Sequence, residues 1–402
     1  MKRVIFHVDV NSAFLSWEAC YRIHHLGGKQ DLRKMVSAVG GDQEKRHGII
    51  LAKSIPAKKF HIQTGETVVS AKEKCPDLTL VPPNYDLYNK SSKALIKLLS
   101  EYTDKIEQYS IDEAFLDMTG CCDDSERTAH EIKDRVHAQL GFTVNIGVSE
   151  NKLLAKMASD FMKPDRVHTL WKSEIQTKMW PLPVSELFYV GHASLNKLRK
   201  LGIHTIGELA ATDPGILQAH MKSQGLLIWQ YANGIDETAV IDTPPLAKGY
   251  GNSLTTPQDV TEPGIAKQYL LSLSETIAAR LRADSVKIGV VSISLRDWDL
   301  RFYGHQITLS VPTDLTMEIY HAACQCLSEL WDGTPLRHLG IHTSSVTTDQ
   351  YRQMQLFDTV DYEKAKRMEK TVDRIRKKYG MDSIKRACFL PSAGNMEMDH
   401  MA

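Results

Sequence analysis

The chain has 402 residues, of which 42% are hydrophobic and 24% are charged, and its 49 basic and 49 acidic residues leave no formal net charge. This length exceeds the size at which a single hydrophobic core stops growing, so we expect two to four domains, and the ordinary composition excludes a disordered chain. The longest apolar runs, such as Val4–Val8, have the length of a strand, which predicts no membrane span, and we expect no signal peptide.

The cysteine content and the charge distribution further restrict the class of protein. The seven cysteines contain no Cys-x-x-Cys pair, so structural zinc is not predicted, and their odd number is typical of reduced thiols in a cytoplasmic protein. Charge is unevenly distributed: Lys364–Arg386 carries ten basic and three acidic residues, whereas residues 241–346 are slightly acidic. A basic helix is therefore predicted in the tail, either as a solvated face or as a DNA contact.

The first strand is predicted to end in an acidic residue. The apolar run Val4–Val8 is followed by Asp9, and a helical pattern begins at Phe14 after a turn. This pattern predicts a buried strand and a helix that is capped by Asn11 or Ser12. Many α/β proteins place an acidic residue at such a position, so Asp9 alone indicates little about catalysis.

A second acidic pair lies in the β-like segment Tyr109–Met118. Neighbouring side chains of a regular strand point to opposite faces, so Asp112 and Glu113 can share a site only at a bend or hairpin tip. Together with Asp9 they would form an anionic cluster of oxygen donors, which suits Mg²⁺. A solvated turn is the alternative, and spacing alone leaves both open.

The remaining pattern predicts further elements and two linkers. The strand Val144–Val148 precedes a helix predicted over residues 150–162, with Ser149 as its N-cap and Pro164 after its end. Prolines at 181–183 and at 244–245 predict linkers. Between Gly249 and Val346 we predict strands over 286–295 and 306–311 and helices over 265–283 and 316–330.

Three motifs together resemble the Y-family of translesion DNA polymerases of the DinB/UmuC type: V-D-V-N-S-A-F at 8–14, Y-S-I-D-E-A-F-L-D at 109–117 and G-V-S-E-N-K-L-L-A-K at 147–156. The resemblance runs from residue 4 to about residue 390. It implies an α+β, multidomain right-hand fold. The implied domains are a palm (1–11 and 83–172), fingers (12–82), a helix-hairpin-helix thumb (173–240), an α/β little finger (245–346) and a tail (347–402) with a clamp-binding peptide and a basic helix.

The resemblance also implies an activity and a site. The activity is template-directed addition of dNTPs to a primer 3′ end with low fidelity, across damaged template. Catalysis would use two Mg²⁺ ions held by Asp9, Asp112, Glu113 and the Val10 carbonyl. The implied nucleotide-binding residues are Phe14, which would exclude a ribose 2′-hydroxyl, and Ser54, Lys58 and Lys163.

Contacts with DNA and with a sliding clamp are implied in the same way. The DNA-binding residues would be Gly191, Gly202 and Gly207 in the thumb, and Asn252 and Ser253 in the little finger. The clamp-binding residues would be Gln353, Leu356 and Phe357, with the last two as anchors in an apolar groove. The predicted partners are thus primer–template DNA, dNTP and a sliding clamp, with no membrane, and the chain is expected to be a monomer.

Two other functions are compatible with parts of this pattern. A nucleotidyl cyclase uses similar carboxylates but needs neither the thumb hairpin nor the little finger. A catalytically weak, clamp-bound accessory factor is the other alternative. Its support is three departures from the family pattern, at Asn11, Ile55 and Lys58, where many members carry Asp, Tyr and Arg.

Overall fold

The computed structural model describes residues 3–42, 48–243, 245–349 and 361–389. The described residues form two units, one made of 3–42 and 48–243 and the other of 245–349 and 361–389, so the boundary lies at the linker predicted around residues 244–245. The predicted clamp-binding residues Gln353, Leu356 and Phe357 lie outside the described residues. None of the helices in these ranges has the length and apolarity that a membrane crossing requires.

The first unit contains eight strands and ten α-helices among its described residues. The strands are β1 (Ile5–Val10), β2 (Ser37–Gly40), β3 (Ile50–Lys53), β4 (Thr79–Val81), β5 (Ile106–Gln108), β6 (Glu113–Asp117), β7 (Val144–Ser149) and β8 (Val167–Thr169). The helices are α1 (Ala13–His24), α2 (Ile55–Lys58), α3 (Val68–Lys74), α4 (Tyr85–Leu99), α5 (Ser125–Leu140), α6 (Lys152–Asp160), α7 (His192–Lys200), α8 (Ile206–Ala211), α9 (Pro214–Met221) and α10 (Ser223–Ala232).

A five-stranded sheet, in the order β5-β6-β1-β7-β8, carries the predicted acidic residues. Its neighbours are antiparallel except for β7 and β8, and a second sheet has the order β3-β2-β4. The central strand β1 is buried on both faces: Phe6, Val8 and Val10 join the core that includes α4 and α5, and Ile5 packs with Ala155 of α6. Because side chains alternate along a strand, Asp9 lies on the same face as Ile5, the face toward α6.

One of the two predicted helix caps is right in position, and the other is wrong. Ser12 occupies the N-cap of α1 with φ 48° but makes no side-chain capping bond, and the Asn11 side chain bonds to Asn145 instead. Helix α6 is capped by Asn151, whose side chain accepts from the Leu154 N–H at 2.8 Å. Ser149 cannot serve there because it is the last residue of β7 and donates its hydroxyl to the Leu170 carbonyl.

The C-terminal part of the first unit is helical, and its first two helices form a hairpin. Gly202 has φ +77° at the turn between α7 and α8, a conformation that glycine adopts without a steric penalty. Thr205 and Glu208 form a capping box at the start of α8. This αα-hairpin occupies the place where a helix-hairpin-helix was predicted.

The second unit has one antiparallel sheet and three α-helices among its described residues. Its elements are β9 (Gly251–Val260), α11 (Pro263–Ala283), β10 (Lys287–Asp297), β11 (Phe302–Thr313), α12 (Thr316–Leu330), β12 (Leu336–Thr347) and α13 (Tyr362–Tyr379). The strand order is β11-β10-β12-β9, which makes β9 an edge strand, the place where its Pro257 is tolerated. The inward residues Val291, Ile293 and Leu295 of β10 share one core with α11 and α12. The predicted helices and strands of this region are confirmed.

Candidate active site

Asp9 and Glu113 are direct cross-strand partners. They oppose each other in the antiparallel ladder of β1 and β6, and such partners have Cβ atoms about 5 Å apart on one face of the sheet. Asp9 is the penultimate residue of the buried strand β1, and Glu113 begins β6. The fold therefore brings together two carboxylates that are more than a hundred residues apart in sequence.

Asp112 lies in the turn that joins β5 to β6. The Tyr109 and Ser110 N–H groups donate to the Glu113 carbonyl at 3.0 and 3.2 Å, and the Val10 N–H donates to the Asp112 carbonyl at 3.0 Å. This is the bend that adjacent carboxylates need in order to share a site. The Asp112 carboxylate accepts from the Ser110 hydroxyl at 2.6 Å.

A single buried ammonium group lies between Asp9 and Glu113. Lys156 of α6 places its Nζ 2.6 Å from Glu113 Oε1 and 3.8 Å from Asp9 Oδ2. Lys163 adds a second cation, with its Nζ 2.8 Å from Asp9 Oδ2 and 2.8 Å from Asp160 Oδ1. The buried carboxylate of Asp9 and the half-buried carboxylate of Glu113 are therefore both paired, which offsets the cost of removing charges from water.

The two carboxylates differ in proton affinity. Burial raises the pKa of Asp9 to about 6, against the opposing effect of the Lys163 charge. Burial would also raise the pKa of Glu113, but the Lys156 ammonium 2.6 Å away outweighs it and holds that pKa well below its ordinary range. Glu113 is thus a permanent anion near neutral pH, whereas Asp9 is mostly ionised there and takes up a proton as the pH falls through about 6.

Gly147 explains how Lys156 reaches the carboxylates. It pairs with His7 in the ladder of β1 and β7, and a Cβ at this position would lie 1.9 Å from the Ala155 carbonyl oxygen. Only glycine permits α6 to approach the sheet so closely. The glycine at the start of the G-V-S-E-N-K-L-L-A-K motif thereby places the lysine at its end, Lys156.

His7 lies directly behind Glu113 and is fully buried. Its Nδ1 is 2.8 Å from the Ser159 hydroxyl, which donates its one proton to the Lys156 carbonyl, so Nδ1 must carry the proton of a neutral imidazole. Burial lowers the pKa of His7 to about 4. Its Nε2 lies 3.7 Å from Glu113 Oε2, too far for a hydrogen bond.

A cavity of about 510 Å³ opens beside Asp9, and three of the four predicted nucleotide-binding residues line it: Ser54, Lys58 and Lys163. The Ser54 hydroxyl is already used within the fold, because it donates to the Met35 carbonyl at 2.6 Å. Phe14, the fourth, stacks on Tyr88 with ring centroids 4.5 Å apart and 13° between the planes.

Asn11 also lines this cavity and departs from the family pattern without disturbing the carboxylates. Its amide donates to Asn145 at 3.0 Å and accepts from the Asp165 N–H at 2.9 Å. An aspartate could not donate the first of these bonds. The amide therefore holds the end of β1 to β7.

The predicted DNA-binding residues are not among those that line this cavity. In the first unit Gly191 precedes α7 as its N-cap, and Gly207 lies in α8, where a Cβ would come within 3.1 Å of the Trp180 side chain. In the second unit Asn252 and Ser253 lie on the edge strand β9, opposite Ile341 and Gly340 of β12.

Sequence reasoning assigned no role to Lys156 or His7. The sequence nevertheless indicated both residues. Lys156 stands within the third motif, and His7 is two residues before Asp9 in β1, which places the two side chains on one face of the sheet. Their contacts with Glu113 join segments far apart in sequence, so no local pattern reveals them.

The donor atoms of the site are of the kind that Mg²⁺ prefers. Carboxylates and a backbone carbonyl are hard oxygen donors, and Asp9 and Glu113 already converge on one cation. In the part of the chain that the structure describes, no three His, Cys, Asp or Glu side chains are already gathered as a metal-binding group. The chemistry of the donors thus fits a divalent ion, with lysines supplying the counter-charge here.

Comparison with known proteins identifies the family. Residues 8–160 match the family described as impB/mucB/samB family, and residues 247–356 match its C-terminal domain. Curated relatives include DNA polymerase IV of Clostridium acetobutylicum, 44% identical over 97% of this chain and 99% of the relative, and DNA polymerase IV of Acetivibrio thermocellus, 37% identical over 98% and 99%. DNA polymerase IV 2 of Bacillus subtilis is 35% identical over 98% of this chain and 96% of the relative.

Comparison with solved structures supports the fold. A Y-family DNA polymerase chimera aligns with a TM-score of 0.73 at 20% identity, covering 86% of this chain and all of the chimera. The predicted α+β polymerase fold and enzyme class, a DNA-directed DNA polymerase, are confirmed. The chain therefore belongs to the impB/mucB/samB family, within the Y-family DNA polymerases.

Proposed function

We propose that this polymerase extends a primer 3′ end across damaged template, with Asp9, Asp112 and Glu113 as its catalytic carboxylates. The observation that carries the proposal is the convergence of Asp9 and Glu113 on one cation, Lys156, at the edge of a cavity with further lysines. Phosphoryl transfer needs such a balance of anionic ligands and cationic groups because charge develops on the transferred phosphate.

Two Mg²⁺ ions would be held by Asp9, Asp112, Glu113 and the Val10 carbonyl. When bound, such ions neutralise charge on the transferred phosphoryl group and on the leaving pyrophosphate. The Lys156 ammonium keeps Glu113 ionised and near Asp9 in the absence of metal. The protein thus keeps the ligands close together without leaving their charges uncompensated.

The cavity beside Asp9 would receive the triphosphate of a dNTP. Ser12, at the N-cap of α1, lines it and makes no side-chain capping bond, so backbone N–H groups of the first helical turn are available to an anion. Lys58 and Lys163 line the same cavity and would add positive charge. Stacking on Tyr88 fixes the Phe14 ring, which would then exclude a ribose 2′-hydroxyl.

Template and primer strands would be bound mainly through backbone groups. Asn252 and Ser253 lie on an edge strand, and such a strand presents unpaired N–H and C=O groups along its outer side. Gly191, Gly202 and Gly207 would let the backbone around the hairpin of α7 and α8 approach a phosphate closely. The Gly202 and Gly207 N–H groups already donate to the Arg199 and Trp180 carbonyls, each at 3.0 Å, so neighbouring backbone groups would make the contact. Contacts of this type position DNA without reading its sequence.

Bypass of damage is tested by running-start primer extension on two templates that differ only in one abasic-site analogue. We expect extension through the analogue with a modest pause, and full extension on the undamaged template. Complete arrest at the analogue, with normal extension on the undamaged template, would restrict the enzyme to intact DNA.

A sliding clamp is the proposed protein partner, bound through Gln353, Leu356 and Phe357. Leu356→Ala combined with Phe357→Ala should abolish clamp-stimulated extension and leave clamp-independent extension unchanged, since only the anchors are removed. Equal stimulation of this variant and the wild type would contradict the assignment.

The accessory-factor alternative has little support. The departure at Asn11 leaves all three carboxylates in place, and Lys58 keeps its charge in the cavity wall.

We also propose that the chain acts as a monomer in the cytoplasm.

A further inference from the structure

The tail helix α13 docks on the second unit through charged side chains. Arg282 of α11 forms a two-pronged ion pair with Asp373, Nε to Oδ2 at 2.6 Å and Nη2 to Oδ1 at 2.9 Å, and also contacts Glu369. Glu369 accepts from the Thr316 N–H at 3.1 Å and is buried. Two of the three acidic residues of α13 are therefore turned inward and used in docking.

A second set of ion pairs holds α13 at both ends. Arg376 donates to Glu275 of α11 at 3.1 Å and is buried. Lys366 lies 3.3 Å from Asp314, just before α12. Docking through paired ions on α11 and near the start of α12 fixes which side of α13 faces outward.

The outward side of α13 is a stripe of cations. Its six exposed basic residues lie along one side of the helix, at intervals of three or four positions up to Lys377 and with Lys378 next to it: Lys364, Arg367, Lys370, Arg374, Lys377 and Lys378. Within residues 361–389 and the other described ranges, none of the six forms a salt bridge. Since Glu363 is the one exposed acid of the helix, the outward face has a strong positive charge in a chain of zero net charge.

The average spacing of these charges is close to that of the phosphates in a nucleic-acid backbone. From Lys364 to Lys378 the stripe runs about 21 Å, at 1.5 Å per helical residue. Six cations divide this length into five intervals that average about 4.2 Å, and one strand of B-form DNA presents one phosphate per about 3.4 Å of its axis.

The position of the stripe separates it from the template contact proposed for β9. The contacts of α13 are with α11 and with residues at the start of α12, on the helical side of the sheet. The stripe is therefore a separate surface.

We propose that the outward face of α13 is an accessory DNA-binding surface, which binds the phosphate backbone without sequence preference. This inference rests on the polymerase acting on DNA and not on the two-metal proposal.

The test is the salt dependence of DNA binding, measured by fluorescence anisotropy on a labelled primer–template without dNTP. The neutral variant combines Lys364→Gln, Arg367→Gln, Lys370→Gln and Arg374→Gln. Its matched control keeps every charge: Lys364→Arg, Arg367→Lys, Lys370→Arg and Arg374→Lys. Both should melt like the wild type, because these side chains are exposed and form no ion pairs.

We expect the log–log slope of affinity against KCl to become shallower by about two to three in the neutral variant, since each phosphate that a cation neutralises contributes about 0.9 to this slope. Affinity should fall on the order of tenfold at physiological salt, with the control at wild-type values. Lys377→Gln combined with Lys378→Gln should give a smaller change of the same sign. An unchanged slope and affinity in both neutral variants would overturn the proposal. So would unchanged DNA binding together with weaker binding to the sliding clamp, which would assign the stripe to a protein partner.

Discussion

Two side chains of the first unit set the electrostatics of the carboxylates. Lys156 neutralises the Asp9–Glu113 pair from the side of α6, and His7 sits behind Glu113 as a neutral imidazole. Both side chains are buried, so water does not compensate for the loss of either one in a variant. Each therefore gives a measurable consequence.

Lys156→Met should make folding dependent on metal. Without Mg²⁺ it leaves Glu113 without its ammonium partner, while Asp9 keeps Lys163, and this costs roughly 3 kcal/mol of unfolding free energy. Added Mg²⁺ should restore more stability to this variant than to the wild type. The measurement is the melting temperature with and without Mg²⁺, with Lys152→Met as the matched control, since Lys152 pairs with Glu107 at 2.7 Å and not with the site. Equal Mg²⁺ responses in the two variants would contradict this account.

His7 should make stability depend on pH. Its folded-state pKa of about 4 lies below the ordinary value of 6.5, so the unfolded chain takes up a proton first. The contribution is complete above pH 6.5 and is lost as the pH falls from 6.5 to about 4, by about 3 kcal/mol in total. Denaturant unfolding across this window should therefore show a flatter profile for His7→Asn than for wild type. His24→Asn, at an exposed position, is the control and should keep the wild-type slope.

At the scale of elements, the close approach of α6 to the sheet determines the site. Gly147→Ala would drive a Cβ into the Ala155 carbonyl and push α6 outward, at a cost of about 3 kcal/mol. Primer extension should fall with it, because Lys156 moves away from Glu113. Gly191→Ala, where no atom lies within 4 Å of the new Cβ, should change the unfolding free energy little. Comparable losses in both variants would show that the close approach is unimportant.

The elements show what could be predicted from sequence. The strand that contains Asp9 and the helices α11 and α12 followed from periodicity, because this signal is local, whereas the hairpin of α7 and α8 was implied by the family resemblance. The cap of α6 was misplaced because Ser149 is held in the ladder with Ile5, a long-range pairing. The docking of α13 also depends on distant ion pairs, such as Arg282 with Asp373, that no local pattern contains.

At the scale of the molecule, two units with separate cores have separate roles. The first contains the carboxylates and the cavity, and the second contains β9 and α13. A fragment of residues 1–243 should fold on its own core. It should bind primer–template on the order of tenfold more weakly than the full chain, because it lacks the cations and strand edge that the second unit offers to phosphates. Circular dichroism and anisotropy measure both, and equal affinity of fragment and full chain would rule out a DNA contact by the second unit.

The central claim is that Asp9, Asp112 and Glu113 carry out metal-dependent nucleotide addition. The most direct measurement is single-turnover primer extension with Mg²⁺ and four dNTPs, comparing wild type with Asp9→Asn, Asp112→Asn and Glu113→Gln. Each should slow extension on the order of 10³-fold, the equivalent of several kcal/mol of transition-state stabilisation, while Glu107→Gln stays near wild type. Wild-type rates in any of the three variants, or no template-dependent extension by the folded wild type with clamp supplied, would contradict the account.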